Sequence, residues 1–200
     1  MKSNPPAGNS RQEILDVATR MFAEQAYELV VIRDIAQAAG VTNPTIYHFF
    51  GSKAGLYREA VLGYYASRIA PAALPGPEAP PRQRLHAFVL QLLQALAHDE
   101  IFFQLLQREL LSSDEAFKQS LAQTLMLELY QYFDDILAQT RFGRGNTLIP
   151  TMIMSMILGY FQVARFQKYL LHFADQPADD AATLEKLADE VVAYVIPEGK

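Results

Sequence analysis

The run from Arg33 to Phe50, RDIAQAAGVTNPTIYHFF, mixes side chains that can hydrogen-bond with apolar ones that need burial. Ile35, Val41, Ile46 and Phe49 are expected to turn inward, leaving Thr42, Asn43, Thr45, Tyr47 and His48 facing out. Such a surface has the chemistry to read a DNA duplex. The amide of Asn43 matches the neighbouring donor and acceptor of an adenine edge, and Thr45 offers a hydroxyl and a methyl that can meet a thymine methyl. Thr42 either caps the helix it precedes or donates to a phosphate, a group that helix N-termini attract in any case. Tyr47 and Lys53 are placed for phosphates, His48 for a base or the backbone, and Arg33 joins the same set. Pro44 falls in a first helical turn, where its missing N–H costs little.

These side chains can work only if two short helices cross steeply, which requires small residues at the crossing and one residue that tolerates positive φ at the turn. Ala36, Ala39 and Gly40 supply them. The spacing predicts one helix over 32–39, ended by Gly40, and a second over 42–50. Ile14, Val17, Ala18, Met21 and Phe22 mark the face of an earlier helix onto which both are clamped. Ser52 is set to cap a fourth helix through Leu56, Ala60 and Tyr64. Five prolines and Gly76 between Pro71 and Pro81 cannot continue a helix and read as a semi-rigid linker. Beyond it, apolar periodicity predicts helices over 82–97, 99–111, 114–139, 146–173 and 179–195, with Asn146 as a cap.

No stretch alternates apolar and polar residues as a strand would, so the expected fold class is all-α. The expected organisation is a flexible arm at 1–10, a three-helix DNA-binding domain with a connecting helix at 11–70, the linker at 71–81, and a larger helical domain at 82–200. The arm holds two prolines and no apolar core, which does not fit a secretory signal.

Half of the 200 residues are hydrophobic and a fifth are charged, enough to bury a sizeable core. The absence of cysteine excludes disulfides, thiolate zinc sites and cysteine nucleophiles, and it suits the reducing cytoplasm, the expected location. His48, His86, His98 and His172 are scattered without metal-ligand spacing. Neither a G-x-S-x-G elbow nor a phosphate loop occurs, and Asp134-Asp135 and Asp179-Asp180 read as helix faces or starts. No metal, cofactor or catalytic residue is expected. The uncharged stretch 147–164 is interrupted by Pro150, Thr151, Ser155, Gly159 and Gln162, which fits a buried helix and not a membrane span. A net charge of −5 argues against nonspecific coating of nucleic acid, but leaves room for a small reader that is only locally positive.

From Ser10 to Leu62 the chain resembles the DNA-binding domain of TetR-family regulators almost position by position, most specifically in ILDVATRMFAEQAY, IRDIAQAAGVT and TIYHFFGSKAGLY. The resemblance implies a homodimer on double-stranded operator DNA, with the last two long helices of each subunit in a four-helix bundle. It also implies an effector pocket in the larger domain. Two departures stand out. Family members commonly have glycine where Ala26 stands, and alanine in the same left-handed geometry would cost about 1 kcal/mol. They also commonly have threonine or serine near Val30 and Val31, and a lost cap costs about 1 kcal/mol.

In the larger domain an aromatic and methionine-rich set, Phe102, Phe103, Leu106, Met126, Tyr130, Met152, Met156 and Tyr160, is expected to bind a small apolar or amphipathic effector. Arg165, with Arg108 as the second candidate, is expected to meet an anionic end. Leu184, Leu187, Val191 and Val195 form a stripe at helical spacing and are expected at the dimer interface. The function expected is that of a ligand-responsive regulator, most simply a repressor. A DNA-binding architectural protein without an effector, and a helical enzyme, are the alternatives; a compound that changes DNA affinity, or one that is turned over, tells them apart.

Overall fold

The computed structural model describes residues 7–69, 73–112, 114–167, 169 and 179–197, and the side chains of all of these except 7–9, 125, 165 and 167. Its elements are α1 (Ala7–Glu24), α2 (Ile32–Ala38), α3 (Asn43–Phe50), α4 (Lys53–Arg68), α5 (Pro81–His98), α6 (Glu100–Leu111), α7 (Glu115–Leu121), α8 (Leu127–Leu137), α9 (Leu148–Gln167) and α10 (Ala181–Val195). The fold is all-α, with no strand among the described residues. Residues 1–6 of the expected arm lie outside the described residues, and α1 opens at Ala7, inside that arm. The single helix expected over 114–139 is instead α7, one π-helical turn at Ala122–Met126, and α8. Residues 168 and 170–178, where the helix expected over 146–173 ends, lie outside the described residues.

The chain forms two compact units, and their boundaries do not follow the order of the sequence: residues 1–68 join 100–125, and 69–99 join 126–200. In the first unit, Ile14, Ala18, Phe22 and Ala23 of α1 are buried, as are Leu56, Ala60, Val61 and Tyr65 of α4. α1 packs on both α4 and α6, with α2 and α3 laid against the same group. Phe102 of α6 meets the Tyr65 ring edge-on at 5.4 Å. Each buried large side chain of this kind is worth about 1.5–3 kcal/mol of apolar transfer.

The second unit is organised on α5, whose Leu85, Phe88, Val89, Leu92, Leu93 and Leu96 are all buried. Its first turn starts on Pro81, where a missing N–H costs nothing, so the proline-rich linker ends by opening a helix. α10 packs on α5, so part of the stripe expected at the dimer interface is covered inside the subunit. Leu184, Val191 and Val195 are at most 2% exposed and face α5 within the subunit, while Leu187 is half-buried. A stripe of that length needs a partner, and the subunit itself supplies one. Asp180 caps α10, accepting from the amides of Ala182 and Thr183 at 3.1 Å each.

Candidate nucleic-acid interface

The turn between α2 and α3 is built from the backbone outward. Gly40 has φ +67°, the Val41 amide donates to Ala36 O at 2.9 Å, and the Gly40 amide donates to Gln37 O at 3.3 Å. That pair of bonds is a Schellman ending, which requires a left-handed residue and therefore favours glycine. The two carbonyls would otherwise be left without donors, so the bonds fix where α2 stops and the direction in which the chain enters α3. Ile35 and Ile46 are fully buried below the turn.

Phe50, not Phe49, completes that inner face: Phe50 is 7% exposed and Phe49 only half-buried. Both positions three and four past Ile46 lie near its face, and it is the fourth, Phe50, that this packing buries. Above this core Thr42, Pro44, Tyr47 and His48 are exposed, and Asn43 and Thr45 are half-buried. Tyr47 keeps half of its surface open. The outward set is therefore assembled on one short helix.

Two details differ from the expected roles. Thr42 stands at the N-cap of α3 with extended backbone, yet its hydroxyl lies 2.9 Å from that of Thr45 and caps no amide. Lys53 turns back onto its own domain, with Nζ 4.4 Å over the Tyr27 ring and donating to Glu28 O at 3.4 Å. Arg33 is exposed, 3.6 Å from Asp34. Across residues 11–68 the cations Arg11, Arg20, Arg33, Lys53, Arg58 and Arg68 are matched by Glu13, Asp16, Glu24, Glu28, Asp34 and Glu59. Attraction to phosphate therefore rests on a few local groups and not on an overall basic domain.

Sequence reasoning missed Gly55. The Ser52 hydroxyl caps α4 as expected, accepting from the Gly55 amide at 3.0 Å. That cap draws the first turn of α4 against α3 so closely that a Cβ on Gly55 would sit 2.1 Å from the Phe50 carbonyl oxygen. The SKAG spacing, with glycine three residues past a capping serine, was the available signal. The departures at Ala26, Val30 and Val31 also resolve. No non-glycine residue among those described has positive φ, so Ala26 leaves α1 by another route, with Leu29 N donating to Ala26 O at 3.0 Å. Val31 is the N-cap of α2, without a side-chain cap, and Val30 beside it is buried.

The expected effector residues are divided between the two units. Phe102 and Phe103 are core side chains of the first unit, where Leu106 is half-buried. In the second unit Tyr130 and Met156 are exposed, and Met126, Met152 and Tyr160 are half-buried. Tyr130 lines a pocket of about 230 Å³ with Phe133, Asp134 and Pro150. The side chain of Arg165 lies outside the described residues. Arg108 donates from Nε to Ala23 O at 2.8 Å and from Nη2 to Glu24 O at 2.6 Å, which spends it on the C-terminal carbonyls of α1. No group of three or more metal-binding side chains occurs among the described residues, and no helix among them is long and apolar enough to cross a membrane.

Two short helices joined by a left-handed glycine, the first packed on α1 and the second, with its polar face outward, packed on α4, define a helix-turn-helix domain of the DNA-binding type. Residues 14–60 match the bacterial regulatory proteins of the tetR family. The chain is 38% identical over 66 residues to the transcriptional repressor KstR2 of Rhodococcus jostii, covering 30% of this chain and 32% of that one. It is 47% identical over 49 residues to the repressor AcnR of Corynebacterium glutamicum, covering 24% and 26%. The chain thus matches about a third of the length of the first relative and about a quarter of the second. The crystal structure of FadR from Bacillus subtilis with stearoyl-CoA shares the fold at a TM-score of 0.68 and 22% identity, over 94% of this chain and 99% of that one. The similarity to TetR-family regulators thus lies in the N-terminal helix-turn-helix region, residues 14–60.

Proposed function

We propose that the protein is a ligand-responsive transcriptional repressor that binds a near-palindromic operator as a homodimer and leaves it when a small apolar or amphipathic effector binds. The observation that carries this reading is the outward face of α3, where Asn43, Thr45, Tyr47 and His48 stand over a buried Ile46 and Phe50. KstR2 and AcnR, to which the domain is similar, are both repressors. The DNA-facing residues are Arg33, Thr42, Asn43, Pro44, Thr45, Tyr47 and His48. Asn43 and Thr45 read base edges, and Tyr47 holds phosphate.

The second copy docks on the outer face of α9. Met156, Val163 and Phe166 are 41%, 63% and 67% exposed there, on a helix without a charged side chain before residue 165. A palindromic site is read by two domains related by a two-fold axis, with recognition helices about 34 Å apart, so an isologous apolar face is the contact required. Effector binding favours a different spacing and weakens the operator complex. The second unit also holds an arginine suited to an anionic ligand group: Arg84 is 2% exposed, its Nε and Nη1 have no partner, and its guanidinium lies 4.7 Å over the Tyr132 ring. FadR, whose fold is shared, was crystallised with the acyl thioester stearoyl-CoA.

Selection of bound fragments from random duplex DNA, followed by sedimentation of the complex, tests the reading. A two-fold symmetric consensus bound by two chains is expected. Recovery of no preferred sequence, or of a monomer on an asymmetric site, would overturn it. An effector found by screening must weaken DNA by the same factor by which DNA weakens the effector.

A further inference from the structure

A half-open pocket of about 440 Å³ lies within the first unit, at the ends of α1 and α6, beside the first turns of α4 and the segment leading into α7. Three of its walls are aromatic. Phe22 and Tyr57 meet edge to face at 4.7 Å, and Tyr27 and Tyr57 at 5.0 Å. Its charged groups are mostly acidic: Glu28 and Asp114 at the rim and Glu109 within. The cation Arg108 also borders it, but two of its nitrogens are spent on α1 carbonyls, the negative end of that helix dipole.

Glu109 is the unusual member. It is 4% exposed; Oε1 accepts the Tyr57 hydroxyl, and Oε2 is buried without any partner. Buried carboxylate oxygens are nearly always hydrogen-bonded, because an unpaired one forgoes all of its hydration. Burial holds the Glu109 carboxyl above the ordinary carboxylate range, against the opposing effect of the Tyr57 hydroxyl. The nearby ammonium of Lys118 is engaged with Glu115 at 3.2 Å. Lys53 Nζ covers one face of Tyr27, so that ring is left to pack on a ligand's apolar body while Glu109 takes its charge.

We propose that this pocket binds an organic ammonium ion, a protonated amine on an aromatic or apolar body, which donates to Glu109 Oε2 while Phe22, Tyr27 and Tyr57 enclose the body. The ligand supplies the one donor that the pocket lacks and places positive charge among three carboxylates. This site stands on the pocket alone and requires neither DNA nor a dimer.

Three probes of one shape test it: 1-naphthylmethylammonium, 1-naphthylmethanol and 1-naphthoate, followed by fluorescence anisotropy in a chain that has no tryptophan to interfere. The full-length protein should bind the ammonium saturably and the alcohol and carboxylate at least tenfold more weakly. Glu109→Gln, whose amide oxygen can still accept from Tyr57, should lose at least tenfold in ammonium affinity and leave the alcohol unchanged. Asp114→Asn, which keeps the α7 cap, should lose two- to threefold. Equal affinities for the three probes, no binding of any, or ammonium selectivity that survives Glu109→Gln would each overturn the proposal. Should Glu109→Gln fail to fold by circular dichroism, the wild-type series decides, and an ammonium preference below threefold sinks the idea. No DNA enters the measurement, so its failure leaves the repressor reading standing.

Discussion

α3 and α10 are both amphipathic helices of modest length, yet the sequence of one predicts its surroundings and that of the other leaves them open. On α3 the outward residues are polar groups whose chemistry specifies what they can meet, and the inward ones are set by a turn that only certain residues can make. On α10 the stripe Leu184, Leu187, Val191, Val195 declares only that it needs covering. It cannot say by what, and α5 of the same subunit does the covering. An apolar stripe carries no address, whereas a glycine with φ +67° or an amide-bearing side chain does.

The sharpest way to break this comparison is to charge the two faces in turn. Val191→Asp places an unpaired carboxylate in the α5–α10 core and should cost about 4 kcal/mol or more, seen as loss of the cooperative thermal transition. Val163→Asp, on the outer face of α9, should leave the subunit helical but shift sedimentation to the monomer. A folded monomer from Val191→Asp would instead support the interface expected from the sequence.

The next effect separates two glycines of α4. Gly55→Ala drives a methyl into the Phe50 carbonyl and should cost about 2 kcal/mol, close to the overpacking range, with DNA affinity falling because α3 must shift. Gly63→Ala meets nothing within 4 Å in the same helix and should stabilise by about 0.5–1 kcal/mol. Denaturant titration of both variants checks the contrast, and equal signs would show that the α3–α4 junction is looser than drawn.

At the DNA surface, Asn43→Ala and Thr45→Ala should each change preference by about 1–3 kcal/mol at particular base pairs, while Tyr47→Phe weakens all sequences alike. Lys53→Ala bears on a difference between expectation and structure. With Nζ held over Tyr27, its loss should lower stability and change the salt slope little. A fall of about one unit in that slope would return Lys53 to the phosphate role expected from sequence.

How much was legible follows the same line. The α2 turn, the Ser52 cap and the outward set on α3 rest on residues with few alternative uses, and they could be read directly. Phe50 was missed through a one-residue slip in helical phase. Gly55 was missed because a close approach between backbones leaves no mark on hydrophobic periodicity. The union of α6 and α7 with the first unit was out of reach, since Phe102 and Phe103 look the same whether they line a ligand cavity or fill a core. Glu109 could be read as a polar group on an apolar helix, but its burial depends on Tyr57, 52 residues away in sequence.

The smallest effect tests the finest distinction, between two adjacent valines that the sequence left equivalent. Val31 has φ −111° and ψ 130°, the extended backbone of an N-cap, and is 47% exposed with no side-chain bond to the α2 amides. Threonine there keeps the branched shape and adds an oxygen able to accept from the amide of Arg33 or Asp34, so Val31→Thr should stabilise by about 0.5–1 kcal/mol. In a chain of this size that raises Tm by about 1–4 °C. Val30 is 1% exposed, and the same change there buries a hydroxyl that no cap position rewards, so Val30→Thr should destabilise by about 1–2 kcal/mol. Paired thermal melts decide the matter. Opposite signs place the cap at Val31, and a gain from Val30→Thr would mean that α2 begins one residue earlier than the structure has it.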